Sequence, residues 1–371
     1  MAAPPVTTTD VTTIAVSPAT PETNYPAQAV RVGAIALTLR DVAVGDMAAV
    51  LALHNAVFKS ETDARWYAWK YGAETEQGGG QAVGAWHGND LIAYCGGLPR
   101  SLWLHGKNLH GLQMGDVMVH PAWRGILTRQ GPFFHVTHRF HTSRLGAEHS
   151  RPFQLGFGFP NLRHLRLGVV LGLVHDGGKI ESLHWSTQTT PGPHLPWHWR
   201  WQRLMPSDPR FDQTINSAWR SMRVQAPHLL LGQRDAAYLR WRYVDRPMAF
   251  GIDSDVVPRY CFFELKRPWN ASGTGIAVLD LKSVSAHWLD WVGPSALMPL
   301  AATACRLEAA RAGFAELMAW ASPAVAKQLS DTGIARREVA AGLGISAASD
   351  LTTRDTLGLP WWLMGGDTDF L

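Results

Sequence analysis

The chain has 371 residues, 46% of them hydrophobic and 17% charged, with a mean hydropathy of −0.08. At roughly 150 residues per domain this leaves room for about two domains and excludes a disordered chain. No apolar run approaches the ~18 residues that a membrane helix needs. The N-terminus also lacks the basic and apolar blocks of a secretory signal, so a cytoplasmic protein without membrane insertion is expected. Cys95, Cys261 and Cys305 are odd in number and far apart, which supports neither a disulfide framework nor a paired-cysteine zinc site. The net charge is +4 and the isoelectric point about 9.0. The basic residues are scattered rather than blocked, however, so nucleic acid is not the expected partner.

Residues 1–28 are rich in Pro, Thr and Ala without periodicity and read as a disordered tail. A strand-like run at 34–39 leads to a helical pattern through Phe58, with Asp46 as its N-cap. Strands follow at 82–86, 91–98, 101–104 and 109–119, with turns at Gly88-Asn89-Asp90 and Gly106-Lys107-Asn108. A helix at 132–145, a strand at 153–159 and a helix at 161–171 complete a first domain, 29–187. Residues 188–207 form a connector whose core is His194-Leu-Pro-Trp197-His198-Trp199-Arg200-Trp201. It reads either as an aromatic cleft wall or as a buried seam between domains. The second domain, 208–371, repeats the order. It has helices near 208–223 and 234–243, strands at 258–266 and 274–282, and a helix at 299–312. A strand at 315–320, a helix at 322–329 opened by Pro323 and a strand near 337–339 end it.

One string makes this recurrence a duplication. Asp63-Ala-Arg-Trp-Tyr-Ala-Trp-Lys-Tyr71 aligns without gaps on Asp235-Ala-Ala-Tyr-Leu-Arg-Trp-Arg-Tyr243. The shared pattern is Asp-Ala-x-aromatic-x-x-Trp-basic-Tyr, close to half the chain apart, as a doubled domain requires. As helices these strings serve packing, although Lys70 and Arg242 are long enough to reach a cleft.

The segment richest in chemistry is Gly115-Asp-Val-Met-Val-His-Pro-Ala-Trp-Arg-Gly-Ile-Leu-Thr-Arg-Gln-Gly-Pro-Phe-Phe134. A β-branched strand ends at His120-Pro121, a loop carries two arginines and two glycines, and Pro132 opens a helix. Free N–H groups and the helix dipole at such a start suit a pyrophosphate, and glycine allows its close approach. Further on, Gly156-Phe-Gly-Phe-Pro-Asn161 is a strand ending in Pro-Asn, followed by a helix and Gly168-Val-Val-Leu-Gly-Leu173.

In Val-x-Pro-x-x-Arg-Gly before a helix, followed by Gly-Phe-Pro-Asn, the sequence resembles the GNAT superfamily of acyl-CoA N-acyltransferases. The likeness covers residues 30–185. In the second half it rests on the repeat, the strand order and the closing Trp361-Trp-Leu-Met-Gly-Gly-Asp-Thr-Asp-Phe370. The resemblance implies an α/β (α+β) fold of two GNAT-like domains, each a mixed, mostly antiparallel twisted sheet flanked by helices. It implies acetyl-CoA as co-substrate, lying where the strands at 112–119 and 153–159 part. Met118, Val119 and His120 would then offer backbone groups to the pantetheine and the thioester. Arg124, Gly125, Arg129, Gln130 and Gly131 would surround the pyrophosphate, with Asn161 at the next helix start. The loop departs from the family's Arg/Gln-x-x-Gly-x-Gly/Ala pattern, and Gly131 precedes a proline that has no N–H.

Acyl transfer needs amine deprotonation, carbonyl polarisation and thiolate protonation. Asp116 is the first candidate base, or else simply a strand-end acceptor, and His120 the second. The helix at 161–171 lacks the tyrosine the family often uses as acid, which leaves Asn161, His164 or solvent. His135, His138 and His141 recur every three residues, but no acidic or cysteine partner completes a metal site, so none is expected. Cys95 falls mid-strand as a buried thiol. The second half carries Ser-Val-Ser-Ala-His-Trp-Leu-Asp-Trp between its main strand, 275–282, and the helix near 299. It lacks the Arg/Gly loop and would shape the acceptor site with its tryptophans. The expected activity is N-acetyl transfer to an amine acceptor. The alternatives are an acyl-CoA sensor without catalysis and a relative of the tRNA-dependent aminoacyl transferases.

Overall fold

A computed structural model describes residues 25–72, 81–125, 130–146, 153–188, 194–247, 259–267, 270–347 and 358–368. Most of the expected tail lies outside these residues. From Tyr25 onward the chain is held: Arg139 donates to the Pro26 carbonyl at 2.7 Å, and the Arg144 guanidinium sits 4.9 Å from the Tyr25 ring centre.

The first half runs β1 (Gln28–Val32), β2 (Ile35–Asp41), α1 (Met47–Phe58), α2 (Ala64–Tyr71), β3 (Gln81–His87), β4 (Asp90–Leu104) and β5 (Lys107–Val119). It continues through α3 (Pro132–Arg144), β6 (Leu155–Gly158), α4 (Leu162–Val170) and β7 (His175–Ser186). The second half follows the same order. Its elements are β8 (Arg200–Leu204), α5 (Phe211–Gln225), a short β9 (Leu230–Gly232), and α6 (Ala236–Leu239), which continues as a π turn over Arg240–Val244. Then come β10 (Tyr260–Arg267), β11 (Asn270–Asp280), β12 (Ala286–Val292), α7 (Met298–Arg311), β13 (Glu316–Ala321), α8 (Pro323–Gln328), β14 (Arg336–Ala347) and β15 (Trp361–Trp362).

All strands join one sheet, ordered β1-β2-β3-β4-β5-β6-β14-β7-β13-β12-β11-β10-β8. From β2 to β8 the order mirrors itself about the β14–β7 pair. Each half's last strand sits beside the other half's short parallel strand: β14 pairs β6 and β7 pairs β13, both antiparallel. The two halves, each mixed and flanked by helices, are therefore laced together by exchanged strands. Local cores follow the two-residue alternation of strands. Val83, Ala85, Ala93 and Cys95 face α3 through Val136 and Phe140, whereas Ala82 and Tyr94 face α1 and α2 through Val50, Leu53 and Tyr71.

Two expectations need correction. The Trp-rich connector does not line a cleft near β5: Trp199 is buried in the second half's core, Trp197 is 88% exposed, and Trp201 stacks on Phe263 at 5.0 Å. Its strand, β8, is an outer edge of the sheet, with six strands between it and β6. The second half's counterpart of β5 is also not 275–282. It is β12, built from the His-Trp-Leu-Asp-Trp string, and the buried Asp290 inside it disguises a fully buried strand as a loop.

Candidate active site

β5 and β6 run parallel and pair only over Gly111–Leu155, Leu112–Gly156 and Gln113–Phe157. Beyond Gln113, β5 continues to Val119 whereas β6 stops at Gly158, so the strands part where the sequence expected them to. On its other edge β5 pairs β4, Tyr94 with Met118 and Gly96 with Gly115. Asp116 and Val117 thus oppose the single Cys95, a bulge that re-aims one side chain. Asp116 takes the left-handed conformation there, φ 51°, one that Asp and Asn accept far better than bulkier residues.

The bulge delivers Asp116 to α1 and α2. Lys70 Nζ lies 2.8 Å from Asp116 Oδ2, and the Tyr71 hydroxyl donates to the same oxygen at 2.5 Å. The other oxygen, Oδ1, faces His54 Nε2 at 4.0 Å. Lys70 is 2% exposed and the Asp116 side chain 11%, so the ion pair is strongly shielded from solvent. Ser60 and Thr62 hydroxyls hold His54 Nδ1 at 3.0 and 3.1 Å. Burial lowers the imidazole's pKa, Lys70 adds to this, and Asp116 opposes it. Trp66 packs on His54 at 4.8 Å, and Tyr94 meets Tyr71 edge-on at 6.2 Å. His54 and Tyr71 escaped the sequence reading as site residues. The recurrence of the tyrosine at the end of both copies of the repeat was the available signal.

The other expected residues fall along the opening and the loop beyond it. Met118 is buried, while Val119 and His120 are half-buried at the strand end. His120 Nδ1 accepts from the Ala122 N–H at 3.3 Å. Arg124 folds back, its Nε donating to the Val119 carbonyl at 2.9 Å, and Gly125 has φ 148°. Arg129 lies outside the described residues. Gln130 is exposed, and Gly131 is the extended N-cap of α3, followed by Pro132. Asn161 is the N-cap of α4 and its side chain accepts from the His164 N–H at 2.9 Å; the His164 side chain is exposed. The histidines of α3 differ in their surroundings. His138 stacks on Phe134 at 5.3 Å, while His141 is buried, its pKa pushed down by desolvation to about 4. Among the described residues no cluster of three or more His, Cys, Asp or Glu is placed to hold a metal ion. Cys95 is fully buried and its thiol pKa is pushed up by burial.

The second half repeats this arrangement with a different outcome. β12 and β13 pair only at Ala286–Leu317 and His287–Met318. A bulge on β12 leaves Leu289 as an extra residue directly before Asp290, and Tyr243, the repeat partner of Tyr71, donates to Asp290 Oδ2 at 3.1 Å. Here the gap is filled by protein. Met364 bridges to Ala321, and Gly366 lies so near β12 that a Cβ on it would come within 2.9 Å of Asp290 Oδ2. Arg234, wholly buried, joins Asp290 at 2.7 Å to Asp367. Burial opposes its charge, but the two carboxylates hold its pKa above the ordinary value, while burial pushes that of Asp290 upward. Asp367 also reaches the first half, through Arg100 at 3.1 Å and through Gln113, which donates to its carbonyl at 2.6 Å.

Among the described residues no helix is long and apolar enough to cross a membrane. Residues 38–142 match the family model of an acetyltransferase (GNAT) domain. No curated protein matches the chain. A conserved protein of unknown function from Enterococcus faecalis V583, described as a probable N-acyltransferase, is similar with a TM-score of 0.59 at 13% identity, over 84% of this chain and 72% of that one. A GCN5-related N-acetyltransferase from Anabaena variabilis ATCC 29413 gives 0.56 at 13% identity over the same shares. One from Kribbella flavida gives 0.50 at 15% identity, over 84% and 71%. At these identities the likeness is one of fold, and it extends over most of this chain. In its first half the chain is thus similar to an acetyltransferase (GNAT) domain over residues 38–142, where β5 carries the bulged aspartate beside its parting from β6.

Proposed function

We propose that the protein is an N-acyltransferase that moves an acetyl group from acetyl-CoA to an amine by direct attack on the thioester. The observation that carries this is Asp116, re-aimed by the bulge beside the opening between β5 and β6. In that opening, beyond Gln113, β5 has no strand partner on its β6 side among the described residues. The Val119 carbonyl accepts from Arg124 and the His120 N–H donates to the Ile92 carbonyl, so the pantetheine arm and the thioester would use the remaining main-chain groups at Met118, Val119 and His120. Arg124, Gly125, Arg129, Gln130 and Gly131 would take the pyrophosphate between guanidinium charge and the start of α3.

The amine nitrogen attacks the carbonyl carbon, the C–S bond breaks and the thiolate leaves. Asp116 receives the amine proton on Oδ1, since Lys70 and Tyr71 occupy Oδ2. His120 stands second for that role. Asn161 is engaged as a helix cap and His164 is exposed, so the thiolate takes its proton from solvent. The second half, its own gap filled, supports the acceptor side through Trp241, which stacks on Trp69 beside Lys70.

Thioester cleavage measured with acetyl-CoA and a panel of amines tests the proposal. Thiol release that depends on an amine, lost in Asp116→Asn, supports it. Tight acetyl-CoA binding without turnover of any amine would instead identify a sensor, and turnover only with charged tRNA would identify an aminoacyl transferase.

A further inference from the structure

A second cleft, of about 390 Å³, lies where the β4–β5 hairpin of the first half faces α5 of the second. Trp103 and Asn108 come from the hairpin, Trp219, Arg220 and Arg223 from α5, and Gln233 from the loop that follows β9. Asn108 precedes Asp116 by eight residues along β5. At about 3.3 Å per residue the cleft therefore opens some ~26 Å from the acyl-transfer site. We propose that this cleft binds a small organic or inorganic oxyanion, a carboxylate or a phosphate, between Arg220 and Arg223.

Arg223 is set for such a ligand before it arrives. Its guanidinium lies 4.3 Å from the Trp103 ring centre and 5.4 Å from that of Trp219, so two indoles hold the planar fork in place. Its Nε is buried with no hydrogen-bond partner among the described residues. Among the described residues neither Arg220 nor Arg223 has a carboxylate partner, whereas the buried Arg100 and Arg234, next in sequence to Ser101 and Gln233 of the lining, are both paired with Asp367. Asp235, the acidic residue of the wall, is already engaged: its side chain accepts from the Tyr238 N–H at 2.9 Å and from Gln233. Those donors are neutral and leave the Asp235 charge in place, so the lining sets two cations, Arg220 and Arg223, against one carboxylate. A guanidinium fork with an unsatisfied donor is the group that planar oxyanions recognise, and the amides of Asn108 and Gln233 extend the donor set.

Calorimetric titration of the full chain with inorganic phosphate and with succinate, at ionic strength matched by chloride, tests this. Saturable binding of at least one probe is expected. Arg220→Gln and Arg223→Lys should each weaken it about tenfold, the loss of one charge-assisted contact. Arg223→Lys keeps a cation between the indoles and the fold with it, and acetyl-CoA affinity should be unchanged in both variants. Saturation by phosphate alone or by succinate alone assigns the chemistry. No saturable binding of either, or binding that survives both variants, overturns the proposal. So does a parallel loss of acetyl-CoA binding, because the anion would then occupy the cofactor loop.

Discussion

Trp69 and Trp241 each donate the indole N–H to the other's main-chain carbonyl, at 2.7 and 3.0 Å, with their rings stacked 5.4 Å apart. They are equivalent positions of the repeated string, 172 residues apart. The contact is therefore reciprocal, as in a twofold dimer, but within one chain. Asp63 and Asp235 cap the two helices alike, each accepting from the N–H three residues on at 2.9 Å. Trp69→Ala or Trp241→Ala should each cost about 2 kcal/mol or more, since a half-buried indole and a hydrogen bond go together. The double variant should cost less than the sum, because each single change already breaks the pair. Denaturant melts of the four proteins measure this.

Asp116→Asn should keep the fold at reduced stability, because Lys70 loses its counter-charge, and lower kcat about 100-fold, the usual contribution of a positioned base. Asn tolerates the left-handed backbone and keeps an acceptor for Lys70 and Tyr71. Asp116→Ala should also destabilise by about 3–5 kcal/mol, as when a buried ion pair loses one partner. Steady-state rates beside thermal melts separate the two effects, and an Asn variant with full activity would remove Asp116 from the chemistry.

Gly131→Asp should leave the melting temperature unchanged or raised, because Gly131 is an extended N-cap and aspartate is a preferred residue there. Acetyl-CoA affinity should nevertheless fall about tenfold or more, since a negative charge then stands where the pyrophosphate is expected. Calorimetry and a melt of the same sample give both quantities.

His141 makes stability depend on pH. Its folded pKa is pushed down to about 4 by burial, below the ordinary value near 6.5. The unfolded chain therefore binds a proton that the native state refuses. Stability contributed by this group is full above about pH 6.5 and is lost as pH falls toward 4, by about 3 kcal/mol over the window. His141→Leu should flatten that part of the profile in melts run from pH 7 to 4.

Local patterns in the sequence were enough for most of the first half's helices and strands, the strand–loop–helix at 115–134, the Gly-Phe-Pro-Asn strand and the repeated string, but they missed β1 and β7 and split β4 in two. Alternation, helix caps and prolines act over a few residues and leave their period in the text. Partners distant in the chain leave no such period. Asp116 was legible as a strand residue, but Lys70 and Tyr71, about 45 residues away, become its partners only when the bulge turns it toward α2. Asp290 made β12 look polar, because nothing near it shows that Arg234 and Asp367 close around it in the core. The exchange of β7 and β14 between the halves has the same cause: strand neighbours are chosen by long-range backbone pairing and shared burial, not by local propensity. The sequence by itself determined the repeated helix string at 63–71 and 235–243, because its caps and aromatic spacing are local. Tertiary structure alone decided that β5 runs on beyond Gln113 without a described strand partner on its β6 side while residues 364–367 pack against its counterpart.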